Sequence, residues 1–214
     1  SYSDLGMLLL MEIAEMVSRR SLDDMTKTWL YRPLNMRSTM YNPEKALLHK
    51  IVPTEYDSLY RGALIHGEVH DENAYLIGGV SSHAGLFSTA ENLGNYAQMF
   101  INNGTWQGKR IFKESIISEF TSRQYLPGDS DYALGWDTPS QNGTSSAGDY
   151  FSNFSFGHLG FTGTSMWIDP VEEIIIILLT NRVHPTRDRG GIYGIRREFH
   201  NAVMAQLSEN SGGL

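Results

Sequence analysis

Six consecutive aliphatic residues, Ile174-Ile175-Ile176-Ile177-Leu178-Leu179, constrain this chain more than any other feature of its sequence. A strand sends successive side chains to opposite faces, so a run without polar alternate positions needs cover on both faces, as a central strand has. The run is far too short to cross a bilayer, which takes about 20 apolar residues in a helix. Its neighbours supply the rest of a sheet. Residues 154–160 and 164–168 read as strands, and an Asp169-Pro170 turn joins the second of them to the aliphatic run as an antiparallel hairpin. Beyond the run, Ile192, Ile195, Phe199, Val203 and Leu207 recur at helical spacing and form the face of a C-terminal helix that can pack back on the sheet.

The first half has a different rhythm. Ser3 or Asp4 can cap a helix in which Leu5, Leu8, Leu9, Ile13, Met16 and Val17 make one inward face. Ser21 and Asp24 start a second helix through Trp29, with Pro33 just past its end. Residues 43–82 are interrupted by Pro53, Gly62, Gly67 and Gly78-Gly79 and read as loops with short helices. Ser88 and Glu91 introduce a helix with Leu93, Tyr96, Ala97 and Phe100 on one face, ending near Asn102-Asn103-Gly104. Another follows over 113–122, and Tyr132–Trp136 reads as a short strand between polar loops. The fold class is therefore α+β: residues 1–125 mainly helical and loops, residues 126–214 antiparallel strands plus a C-terminal helix, with a Gly-rich disordered tail over 211–214.

Charge and composition narrow the function classes. Among 214 residues, 24 acidic side chains outnumber 17 basic ones and no basic run occurs, so the electrostatic footprint of a nucleic-acid binder is missing. With no cysteine, disulfides, thiolate metal sites and cysteine nucleophiles are excluded. No apolar stretch is long enough to span a membrane.

Three-residue motifs carry the chemistry. Tyr2-Ser3-Asp4, at the head of YSDLGMLLLMEI, resembles the Tyr-x-Asn motif of the serine enzymes that include class C β-lactamases, DD-peptidases and related esterases. His158-Leu159-Gly160, within FGHLGFTGTSMWIDP, stands where that family has Lys-Thr-Gly. Between them, LYRPLNM and GEVHDENAYLIGGVSSHAGLFSTAENL follow in the family's order. These blocks are similar in particular to β-lactamase-like domains fused to bacterial β-hexosaminidase-type glycoside hydrolases. The resemblance covers nearly the whole chain, and this collinearity is more specific than either triplet. It implies the C-terminal portion of one β-lactamase/transpeptidase-like domain spanning 1–214.

The resemblance also implies roles. Tyr2 would help take the proton of an attacking serine, and His158 would face it across a cleft, hydrogen-bonding toward Tyr2 or the substrate. Its charge would be switchable, because an unperturbed imidazole titrates at about 6.5. A free serine hydroxyl is a weak nucleophile at neutral pH and needs such a base. The backbone N–H of Phe161 would be an oxyanion-hole donor. Asp4 and Gly160 would support the two motifs, Asp4 with a charge in place of the usual asparagine amide. No serine here is followed three positions later by lysine, so the nucleophile-bearing segment is expected upstream, and these residues alone are expected to be inactive.

The expected partners are a small-molecule or peptide substrate and the N-terminal part of the same protein, with no nucleic acid and no membrane span. Without the family's N-terminal strands, the strand over 174–179 should have an open apolar edge that invites self-association. No metal or cofactor is expected. His66-Gly67-Glu68-Val69-His70-Asp71 alternates ligand types but reads as a loop, and His83 and His184 read as structural or surface residues. The implied location is the bacterial periplasm or cell envelope. The rival reading is a catalytically dead binding or scaffold domain attached to a glycoside hydrolase.

Overall fold

A computed structural model describes residues 2–124 and 130–211; residues 212–214 of the tail expected to be disordered lie outside them. The chain forms two compact units, one of residues 1–96 and 181–189, the other of residues 97–180 and 190–214.

In the first unit, α1 (Asp4–Ser18) is capped by Ser3, whose Oγ accepts from the Gly6 amide. α2 (Leu22–Thr26) is capped in the same way by Ser21 and runs on as a π-helical turn over Lys27–Tyr31. β1 (Met40–Tyr41), a 3₁₀ turn (Lys45–Lys50), β2 (Tyr56–Asp57), β3 (Ala63–Leu64), α3 (Glu72–Leu76) and β4 (Leu86–Phe87) follow as short pieces. β1 pairs with β4 and β2 with β3, both antiparallel. The expected inward face of α1 is wrong: Leu5, Leu9, Ile13, Met16 and Val17 are exposed. The helix instead turns in the stripe Met7, Met11 and Glu15, because Glu15 Oε1 caps α2 by accepting the Leu22 amide at 2.6 Å.

A partly buried ion-pair network fastens residues 181–189 to this unit. Glu55, buried, accepts the Arg187 backbone N–H at 2.8 Å and its Nε–H at 2.7 Å, and lies 2.8 Å from His70 Nε2. Arg187 Nη2 also reaches Glu72 at 2.6 Å. His184 adds a contact from Nδ1 to the Thr54 carbonyl.

Helix α4 (Ala90–Ile101) begins in the first unit and ends in the second. There β5 (Thr105–Trp106), β6 (Lys109–Arg110) and α5 (Glu114–Thr121) precede the sheet of β7 (Phe156–Leu159), β8 (Ser165–Asp169) and β9 (Ile174–Leu178). The order is β7-β8-β9, antiparallel throughout, with Trp167 opposite both Gly157 and Ile176. Asp169 closes the hairpin. Burial would raise its carboxyl, but Ser152 N–H and O–H and the amides of Glu172 and Val171 outweigh desolvation and hold it below the usual range.

β9 has the open edge expected of residues 174–179: among the described residues it pairs only with β8, and Ile176 is the one buried residue of its five, so the run lacks the cover on both faces that its sequence calls for. The core of this unit is Ala147, Phe151, Trp167, Ile176 and Met204, and Phe100, Trp136 and Phe156 meet edge to face at 5.2–5.6 Å. The C-terminal helix α6 (Ile192–Ser211) packs on the sheet with only part of the expected face, since Ile192 is buried and Val203 packs half-buried against the core. Ile192, Arg196, His200 and Met204 are buried, whereas Ile195, Phe199 and Leu207 are exposed. Two polar side chains lie inward because each finds partners there: Arg196 bonds the Gly160 and Thr164 carbonyls, and His200 the Ser146 carbonyl and Ser165 Oγ.

Candidate active site

In the first unit, Tyr2 is partly exposed immediately ahead of α1, and Asp4 is the first residue of that helix. The loop that carries Ser81, Ser82 and His83 is brought to it by β4 and by two glycines. Gly79 and Gly85 both have positive φ, and a Cβ on Gly85 would sit 2.4 Å from the Gly79 carbonyl oxygen, so only glycine allows this approach. Ser82 Oγ donates to the Met7 carbonyl at 2.6 Å. His83 spans Ser81 Oγ and Asp71 Oδ1 at 2.7 and 2.9 Å. Asp4, Asp71 and His83 each offer one atom within 4.8 Å of the others, the one group of metal-ligand type among the described residues. The His66-to-Asp71 run does not converge: His66 bonds the Leu48 and Ile51 carbonyls, and His70 bonds Glu55.

In the second unit, His158 is the third residue of β7, opposite Met166. Its Nδ1 lies 2.9 Å from the Leu159 carbonyl, so that nitrogen carries a proton and donates. Burial pushes the ring below the ordinary imidazole range, against the raising effect of that carbonyl. The neutral ring is thus favoured, and the switch near neutrality expected from sequence moves to lower pH. Gly160 makes the turn after β7: its N–H donates to the Thr164 carbonyl at 2.8 Å, and a Cβ there would meet Thr164 Oγ1 at 2.1 Å. Arg196 Nη2 donates to both the Gly160 and Thr164 carbonyls at 2.7 Å. Phe161, exposed, stands on the turn so fixed.

Sequence reasoning missed Arg196, which looks like one polar position of a helix, and Asp137. Asp137 pairs through its backbone with Gly157, beside His158. Desolvation raises its carboxyl to about 6, opposed by the Thr138 amide and Arg123. The sign follows from linkage: the native state holds this proton up to about pH 6, whereas an unfolded aspartate releases it near 4. The group therefore favours the fold in acid, and that contribution, about 3 kcal/mol, is lost as pH rises from about 4 to 6. Asp137→Asn should gain on the parent as pH rises from 4.5 to 7.5, read by urea unfolding at both pH values; a constant difference would refute it.

The chain matches the Beta-lactamase family model over residues 1–199. A Salmonella gallinarum protein that bears the name D-alanyl-D-alanine carboxypeptidase is 36% identical over 200 residues, covering 86% of this chain and 45% of that protein. The chain thus spans about half the length of the curated relatives it matches. Among solved structures, a β-lactamase from Mycobacterium bovis superimposes with a TM-score of 0.66 at 19% identity, covering 96% of this chain and 63% of that one. The penicillin-binding protein homologue of Pyrococcus abyssi gives 0.61 at 18%, covering 96% and 42%. Those two likenesses speak for the fold, which is α+β with part of the β-lactamase architecture. The family model, matched over most of the sequence, identifies the chain as a member of the β-lactamase family.

Proposed function

We propose that this chain supplies part of the active site of a serine hydrolase of the β-lactamase and DD-peptidase type, acting on amide, peptide or ester bonds in cell-envelope metabolism, in the periplasm. The observation that carries the reading is the collinear placement of two motifs in a β-lactamase family chain: Tyr2-Ser3-Asp4 at the start of α1, His158-Leu159-Gly160 at the end of β7. The serine and its lysine would come from a part of the protein outside this sequence, in which no Ser-x-x-Lys occurs. The exposed apolar residues of α1 and the edge of β9, unpaired among the described residues, are surfaces that such a part would cover.

In this reading Tyr2 accepts the serine proton during attack, and the Phe161 N–H stabilises the oxyanion. His158, held with its proton on Nδ1, offers Nε2 as an acceptor rather than a fixed positive charge. A substrate carboxylate is then recognised less strongly than by lysine, which favours esters and peptides over penicillins. Tyr2→Phe and His158→Ala, made in the intact protein, should each lower kcat/KM by about a hundredfold or more. The assay compares a chromogenic ester, a cephalosporin and a D-amino-acid peptide; unchanged rates in both variants would sink the assignment.

A further inference from the structure

His83 does more in the first unit than fill a loop. Its side chain is only 2% exposed. With Ser81 O–H donating to Nδ1 and Nε2–H donating to Asp71, each of these groups is satisfied, and Asp71 at the same time caps α3 through the Ala74 amide. The neighbour that this network must accommodate is Asp4. One carboxylate oxygen of Asp4, one of Asp71 and a ring nitrogen of His83 all lie within 4.8 Å of one another. Two carboxylates at that separation repel, and the repulsion bears on the first residue of α1, two positions from Tyr2. The motif that Tyr2-Ser3-Asp4 resembles carries a neutral asparagine at this place.

We propose that His83 is a positioning residue for the Tyr2-Ser3-Asp4 segment: its imidazole, anchored by Ser81, donates to the Asp71 carboxylate beside Asp4, disperses that charge and so lessens the repulsion on an aspartate where an asparagine would feel none. The Ser82 hydroxyl, on the residue immediately before His83, donates to the Met7 carbonyl and gives the first turn of α1 a second fixed point. The catalytic consequence rests on the hydrolase reading; the positional one does not.

Amide exchange on this chain tests the positional part. Met7 N–H makes the first helical bond of α1, to the Ser3 carbonyl, and Ile65 N–H, bonded to Glu55, is a reference in the same unit. His83→Ala should speed exchange at Met7 about tenfold and leave Ile65 unchanged. In an Asp4→Asn background the same substitution should change Met7 by less than about twofold, because one of the two repelling charges is gone. His83→Gln, which keeps an N–H donor, should fall between. Equal acceleration in both backgrounds, or equal acceleration at Ile65 in both His83 variants, overturns the proposal. So does an unaltered Met7. In the intact enzyme, kcat lost with His83→Ala should return in Asp4→Asn/His83→Ala. Absence of hydrolysis by every form, parent included, would count against the hydrolase reading and leave the exchange result standing.

Discussion

Arg196→Ala should lower the unfolding free energy by about 3–5 kcal/mol, near the limit of what one substitution does. The guanidinium is 3% exposed and donates to the two carbonyls that close the turn between β7 and β8. Hydrogen bonds from a charged donor are worth about 1.5–3 kcal/mol each, and truncation removes both. It also leaves a void on the inward stripe of α6, between Ile192 and His200. Arg196→Lys should recover part of the loss, since an ammonium can meet one carbonyl but lacks the planar fork. Urea unfolding followed by tryptophan fluorescence reads the change, with Trp167 in the affected core. A loss under about 1 kcal/mol would mean that the turn is held by its own backbone bond alone.

A comparable loss, about 3–5 kcal/mol, is expected for Glu55→Ala. One carboxylate there accepts from the Arg187 amide, the Arg187 side chain and His70. Removing it leaves the buried His70 without this carboxylate and a guanidinium, itself 35% exposed, with Glu72 beside it, and breaking a buried pair from one side costs more than the pair contributes. Glu55→Gln keeps the shape and one acceptor, so it should cost less. The local signature is proteolytic: residues 181–189 should be cleaved faster in Glu55→Ala than in the parent under native conditions. Equal cleavage and equal stability would show that this segment is secured elsewhere.

Much of this arrangement can be read in the sequence, for definite reasons. α1, α4, α5 and the β8-β9 hairpin are announced by local signals: a serine cap, a repeat of apolar residues, an Asp-Pro turn. What fails is the direction in which elements face. Leu5, Leu9 and Ile13 look inward by hydrophobicity, but the residue that α1 buries is Met11, on one stripe with the half-buried Met7 and a glutamate that caps the next helix. Arg196 and His200 look outward by polarity, but they have buried partners more than 30 residues away in sequence. Hydropathy ranks a side chain by its solvation alone, and burial of a polar one is decided by acceptors that only the folded chain brings near.

The candidate site follows the same division. Tyr2 and His158 are legible because their motifs are contiguous. His83 and Asp137 are not: one matters through Asp71 and Asp4, the other through desolvation beside Gly157, and neither neighbour is local in sequence.

The return of residues 181–189 to the first unit has a practical consequence. No single cut divides the sequence into two self-sufficient pieces. A fragment ending at Tyr96 would carry Glu55 and Glu72 without the arginine that neutralises them, and one beginning at Ala97 would keep that arginine on a strap with nothing to grip. Each piece would need the other present while it matured, so the two halves of the polypeptide are obliged to acquire their structure together.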